Sequence, residues 1–125
     1  MPSFSKVNLI DDVEAVGRGD VEGRMARKHL DSDQLGVSLF RYGANAKGPY
    51  GHRHKEQEEA YLVISGSGQM KLDDEIVELR QWDVVRVAPE VTRAIAAGPD
   101  GIELVCVGGT RPPEGDGEFV QDFWV

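Results

Sequence analysis

His52 and His54 stand one residue apart, and Glu59 follows five residues later in the segment GPYGHRHKEQEEAYLVISGSGQMKL. No other stretch of the chain concentrates groups that ligate metals. In an extended strand, residues i and i+2 face the same way, so the two imidazoles project together. A bend through Lys55–Gln57 returns a carboxylate to the same cavity. Two histidines and one carboxylate with open positions form the facial set that holds non-haem iron and related divalent metals. Imidazole must be neutral to ligate, so such a site weakens as pH falls through about 6.5. A His-x-His pair standing alone reads more simply as hydrogen-bonded side chains without a metal; the carboxylate tips the balance.

The elements that must position these residues read as strands. With 125 residues the chain suits one domain, and 15 glycines point to many turns between short strands. Ile10–Glu14 reads as a brief helical turn capped by an Asp, and alternation over Gly23–Leu30 as a strand. Gly36–Tyr42 is rich in β-formers. Gly43–Gly51 is a loop leading to His52. Glu59–Ser65 is the clearest buried strand, with Gly66-Ser67-Gly68 as its turn and Gln69–Leu72 returning. Ile76–Leu79, Val84–Val87 and Val91–Ala97 follow. Gly98-Pro99-Asp100-Gly101 is a strong turn signal. Ile102–Val107 is nearly continuously apolar, as for a strand covered on both sides. Eight or more short strands without a competing helical period predict an all-β sandwich or barrel. The chain divides into an N-terminal segment (1–22), the barrel (23–110) and a C-terminal loop and tail (111–125). The tail's Phe119, Phe123 and Trp124 are costly to leave in water, so it packs on this barrel or on a dimer mate.

The formal charge of −8 opposes binding to nucleic acid and to anionic membrane. The first residues lack the apolar stretch of a secretory signal, and no run approaches the ~18 apolar residues of a membrane span. Cys106 is the only cysteine, so no internal disulfide exists. A soluble, cytoplasmic protein is the expectation.

Two motifs resemble those of the cupin superfamily. In the first, His52, His54, Glu59 and Gly66 match the family's His-x-His, Glu and Gly spacing, with Ala46 where a leading Gly is usual. In the second, Asp83, the strand after it and Pro89 match. Trp82 stands for the family's Gly, Glu90 for its turn Gly, and Arg93 for its third His. The resemblance spans roughly residues 36–108. It implies a cupin-type double-stranded β-helix, or jelly-roll barrel, often a homodimer. It also implies a metal held by histidines and a glutamate, and activities ranging from oxygenation to isomerisation, or none.

Arginine cannot ligate a cation, so Arg93 admits three readings. It binds the carboxylate or phosphate of a ligand beside a metal, or pairs with Glu59 in a metal-free site, or points outward. Repulsion between a guanidinium and a metal is roughly 4 kcal/mol at ~4 Å with an effective dielectric near 20, enough to weigh. Alternation leaves open whether Glu58 or Glu59 faces the cavity; the Gly66 spacing favours Glu59 through the resemblance. Tyr61 and Gln57 are candidate ligand-binding residues, and Tyr42, Met70 and Trp82 candidate pocket residues. Arg86 reads as outward-facing, Arg41 as ambiguous, His29 as structural and Cys106 as core filling.

The reading is a pocket that holds a divalent metal (Fe, Zn, Mn or Ni) through His52, His54 and Glu59, with a small anionic ligand such as a carboxylate, or a sugar. An oxygenase- or isomerase-like activity follows if the protein is an enzyme. The alternative is a metal-free binding or sensor module.

Overall fold

The structure, a computed structural model, describes residues 3–124. The elements are β1 (Val16–Arg18), β2 (Val21–Met25), α1 (Arg27–Leu30), β3 (Gly36–Tyr42), β4 (Gly51–Arg53), β5 (Glu59–Leu72), β6 (Glu75–Arg80), β7 (Val84–Val87), β8 (Arg93–Gly108) and β9 (Glu118–Val120). All strand pairings among the described residues are antiparallel. The chain is an all-β barrel made of one curled antiparallel sheet.

Two long strands, β5 and β8, pair with each other along most of their length and organise the rest. The first half of β5 takes β7 as its other neighbour and the second half takes β6. On β8, the second half pairs with β3, and β2 and β1 follow outward. The first residue of β8, Arg93, pairs with His52 of β4, and β9 flanks β4. Each long strand thus serves two sets of neighbours, and the sheet closes over one apolar interior. Tyr61, Val63, Leu104 and Cys106 from one half meet Met70, Leu79 and Ile95 from the other in a single cluster. Val63, Met70 and Leu104 are fully buried. Burying such side chains contributes roughly 1.5–3 kcal/mol each.

Two expected turns are not turns. Gly66-Ser67-Gly68 and Gly98–Gly101 lie inside β5 and β8, where the register slips between Val63 and Ser65 and again between Gly66 and Gly68. Gly66 and Gly101 both have φ +77°. A side chain on Gly66 would place its Cβ 2.1 Å from the carbonyl oxygen of Gly101. Glycine there admits a bulge that bends the strand without reversing it. The residue chemistry of a tight turn and of a bulge is the same, so the sequence alone misassigns them.

Three smaller expectations also change. The strand expected over Gly23–Leu30 stops at Met25, and residues 27–30 form the short helix α1, ended by Asp31 in a left-handed conformation (φ 54°). Apolar alternation lapses after Met25, so nothing holds Arg27–Leu30 in the sheet. The N-terminal turn is capped by Asn8, not by an Asp: its Oδ1 accepts from the backbone of Ile10 and Asp11, while Asp12 accepts from Asn8 N–H. Finally, β8 is not covered on both sides over Ile102–Val107, because Val107 is 40% exposed. No helix among the described residues is long and apolar enough to cross a membrane.

Candidate metal centre

Glu59 opens β5 and shares its inward face with Tyr61 and Val63, as strand alternation requires. Glu58 faces out and pairs with the exposed Arg86 at 2.9 Å. His52 lies in β4 between β8 and β9, whereas His54 lies just beyond β4, its N–H bonded to the Pro89 carbonyl at 2.7 Å. The imidazole planes are perpendicular, with centroids 5.1 Å apart. The two rings meet edge to face from positions i and i+2 at the end of β4, ahead of the bend at Lys55 and Glu56.

Glu59 Oε1 is the focus of the cluster. It lies 3.4 Å from His52 Nε2 and 3.4 Å from His54 Nε2. It accepts hydrogen bonds from Tyr61 Oη at 2.7 Å and from Arg93 Nη2 at 3.2 Å. The Cys106 thiol donates to Glu59 Oε2 at 3.4 Å. Burial opposes ionisation of Glu59, but the nearby His52 and His54 imidazoles and the Tyr61 hydrogen bond outweigh it and hold the carboxyl well below the usual range. Burial and the neighbouring Glu59 charge push the Tyr61 phenol and the Cys106 thiol up, so both stay protonated donors.

Arg93 is buried, with 1% of its side chain exposed, which overturns the outward-pointing reading. Its Nη1 donates to the carbonyls of Pro89 (3.1 Å) and Val91 (2.7 Å), and its Nε has no partner. The guanidinium neutralises Glu59 and stands where the resemblance puts a third histidine.

Two groups at the site were not found from sequence. Asp116, in the loop after β8, places Oδ1 2.8 Å from His54 Nδ1, and its Oδ2 accepts from the backbone N–H groups of Lys55, Glu56 and Gln57 at 3.1, 2.6 and 2.9 Å. Burial raises its pKa, but these donors prevail and bring it down to about 2. The only local signal is an acid between two glycines, Gly115 and Gly117. Cys106, read as core filler, is core and site wall at once. Gln57 takes a different part from the expected one: it is buried, and its amide donates to the Gly109 carbonyl at 3.2 Å, fastening the following loop instead of joining the cluster. Trp82 is 66% exposed and Met70 belongs to the core, while Tyr42 packs against the core and lines a depression beside Arg41 and Glu103. His29 sits in α1 beside Glu14 at 3.1 Å.

The donor set fits a divalent metal. One ligand atom from each of His52, His54 and Glu59 lies within 4.8 Å of the others. Two atoms each ~2.1 Å from one tetrahedral ion sit ~3.4 Å apart, the separation Glu59 Oε1 shows from each imidazole. His54 Nε2 is buried and has no hydrogen-bond partner, although Nδ1 has one. An orphaned ring nitrogen at that depth is a cost unless something occupies its lone pair. His52, 34% exposed, leaves an approach from solvent.

This architecture, an antiparallel β-barrel with histidines and a glutamate converging in its interior, defines a class. The fold is that of the cupin superfamily. Over 90% of its length the chain is similar to 89% of a cupin protein from Bacteroides fragilis, at 28% identity and a TM-score of 0.73. It is also similar in fold to Pac13, a nucleoside dehydratase, at 16% identity and TM-score 0.78, covering 94% of this chain and 91% of that one. A Streptomyces Pac13 variant has been solved with uridine. Oxalate decarboxylase from Bacillus subtilis matches at 20% identity and TM-score 0.76, over 90% of this chain but 31% of that one, so this chain spans about a third of its length. No protein-family model matches the sequence, and no curated protein does.

Proposed function

We propose that this protein is a small-molecule-binding cupin that holds a divalent metal ion through His52, His54 and Glu59 and takes a small anionic ligand beside Arg93. The observation that carries this reading is the buried, unpartnered Nε2 of His54, aimed at Glu59 while Asp116 occupies the other ring nitrogen. Nitrogen and oxygen donors suit Fe, Zn, Mn or Ni. A bound metal would act as a Lewis acid, polarising an oxygen of a substrate held there, which supports oxygenase- or isomerase-type chemistry.

The chain's own residues supply the rest. Glu59 and Arg93 neutralise one another, so an incoming dication leaves the centre with excess positive charge, and an anionic ligand restores the balance. Arg93 keeps one buried N–H, at Nε, free of any protein acceptor. Guanidinium N–H groups recognise carboxylates and phosphates well. Tyr61, kept protonated, fixes Glu59 through its 2.7 Å hydrogen bond. The outer face of the sheet leaves Val84 (64% exposed) and Val107 (40% exposed) uncovered, in keeping with a homodimer, which sedimentation tests.

A second reading, a metal-free binding module, is favoured by one contact, the buried Arg93–Glu59 pair. The test is metal analysis of protein prepared without chelator and then equilibrated with each of the four ions. About one ion per chain, lost in His52→Ala, supports the metal reading. Protein that takes up none of them at neutral pH overturns it in favour of the second.

A further inference from the structure

Asp116 lies 62 residues from His54 in sequence, yet its carboxylate is the best-connected acid at the site after Glu59. Its side chain is 2% exposed. Oδ2 sits in a concavity formed by three consecutive backbone N–H groups, those of Lys55, Glu56 and Gln57. These residues make the bend that carries the chain from His54 to Glu59. Oδ1 is left for the imidazole. Successive N–H groups of this kind bind anions, so the acceptor is an ionised carboxylate with no proton to give. The hydrogen between Asp116 and His54 must then come from Nδ1. A neutral imidazole carries one N–H, so Nε2 keeps its lone pair and directs it to the cluster.

The loop that delivers Asp116 is fastened to the histidine segment at several points. Gly109 N–H bonds to the Glu58 carbonyl at 2.9 Å, and the Gly109 carbonyl accepts from Gln57 Nε2 and from Arg27 Nη2 at 3.2 and 3.0 Å. After the loop, β9 pairs with β4, setting Phe119 opposite His52. Apart from β9, β4 has only the Arg93 position of β8 as a strand partner. Residues 109–120 therefore hold both histidines in place.

We propose that Asp116 is a positioning residue that selects the Nδ1–H tautomer of His54 and fixes its ring, so that the C-terminal segment is an integral part of the binding centre. The inference rests on the metal reading for its effect on affinity, but the tautomer assignment stands without it. Outer carboxylates of this kind orient ligating histidines, and their loss typically costs about 10–100-fold in metal affinity.

Asp116→Asn tests the proposal in the full chain. Its amide oxygen can replace Oδ2 in the three-N–H concavity, which turns the amide NH2 toward His54 Nδ1 and demands the opposite tautomer. The readouts are ¹⁵N NMR of the His54 ring in metal-free protein and zinc affinity by competition with a chelator. The expected result is Nδ1–H in the parent and Nε2–H in the variant, with zinc binding weakened about 10–100-fold. Asp116→Ala, as a second variant, should lose the tautomer preference and weaken zinc similarly. Unchanged ring nitrogens and zinc affinity in a destabilised variant would overturn the proposal and leave Asp116 as a loop anchor. If the parent itself binds no zinc or other divalent ion, the metal reading fails, while the tautomer comparison still decides the role of Asp116.

Discussion

Arg41 reaches Glu103 at 2.8 Å and Glu22 at 3.7 Å on the solvent side of the barrel, while Arg93 reaches Glu59 at 3.2 Å inside it. The outer group lines an open depression of about 380 Å³ together with Asp20, Ser65 and Asp100. Its Arg41 and Glu103 side chains are 41% and 38% exposed, against 1% and 12% for Arg93 and Glu59. Water screens the first set, so its geometry has little energetic consequence. The inner set has been stripped of water, and every unfilled valence counts. Two nitrogens there, Arg93 Nε and His54 Nε2, are left over after all protein contacts are made. Similar residue types thus make a solvent-screened charge cluster in one place and a buried one in the other, and burial is the difference.

The comparison can be broken by mutation. Glu59→Ala should have the largest effect: it leaves Arg93 buried without its counter-ion, destabilising the fold by about 3–5 kcal/mol in urea unfolding, and it removes a ligand. A loss as small as that of a surface pair would show that the inner charges are solvated after all. Next, Arg93→His should tighten zinc binding by at least about tenfold in chelator competition, because it replaces a repelling cation with a fourth donor. No change would place the bound ion away from Arg93.

A third prediction concerns pH. Burial alone would lower the His54 pKa, but the neighbouring Glu59 and Asp116 carboxylates raise it above its usual value. In the metal-free protein this group therefore contributes stability that is present below pH ~6.5 and lost as pH rises through the raised value. Metal binding has the opposite sign, since ligation needs the neutral ring: affinity should fall about tenfold per pH unit below that pKa. Urea unfolding with and without zinc between pH 6 and 8 should show the two slopes diverging. The smallest effect belongs to the outer cluster: Arg41→Ala should change stability by less than about 1 kcal/mol and leave zinc affinity as it was.

What the sequence made legible was local. His52, His54 and Glu59 fall within eight residues, and β3 and β7 have the bounds the sequence suggests, because their β-forming residues lie side by side in the chain. Asp116 was invisible for the opposite reason: its partner lies across the fold, and an acid in a Pro- and Gly-rich loop looks like solvent-facing punctuation. Glycines at 66, 68, 98 and 101 misled because bulge and turn draw on the same backbone freedom. The direction of Arg93 could not be read from alternation, since it depends on the start of β8 lying against β4. Trp82 shows a related blind spot. It holds φ +75° where the resembled motif has Gly, so the backbone demand survives the loss of the residue that meets it easily.

The long reach between His54 and Asp116 also bears on when the centre comes into being. Contacts of high sequence separation form late, because loop closure must be completed before they stabilise anything. The histidines leave the ribosome some sixty residues ahead of the carboxylate that orients one of them and of the strand that pairs with the other. A nascent chain carrying only the first part of the barrel would expose two untethered imidazoles with poor selectivity among ions. On the proposed metal reading, competence to bind arrives only once residues 116–120 dock.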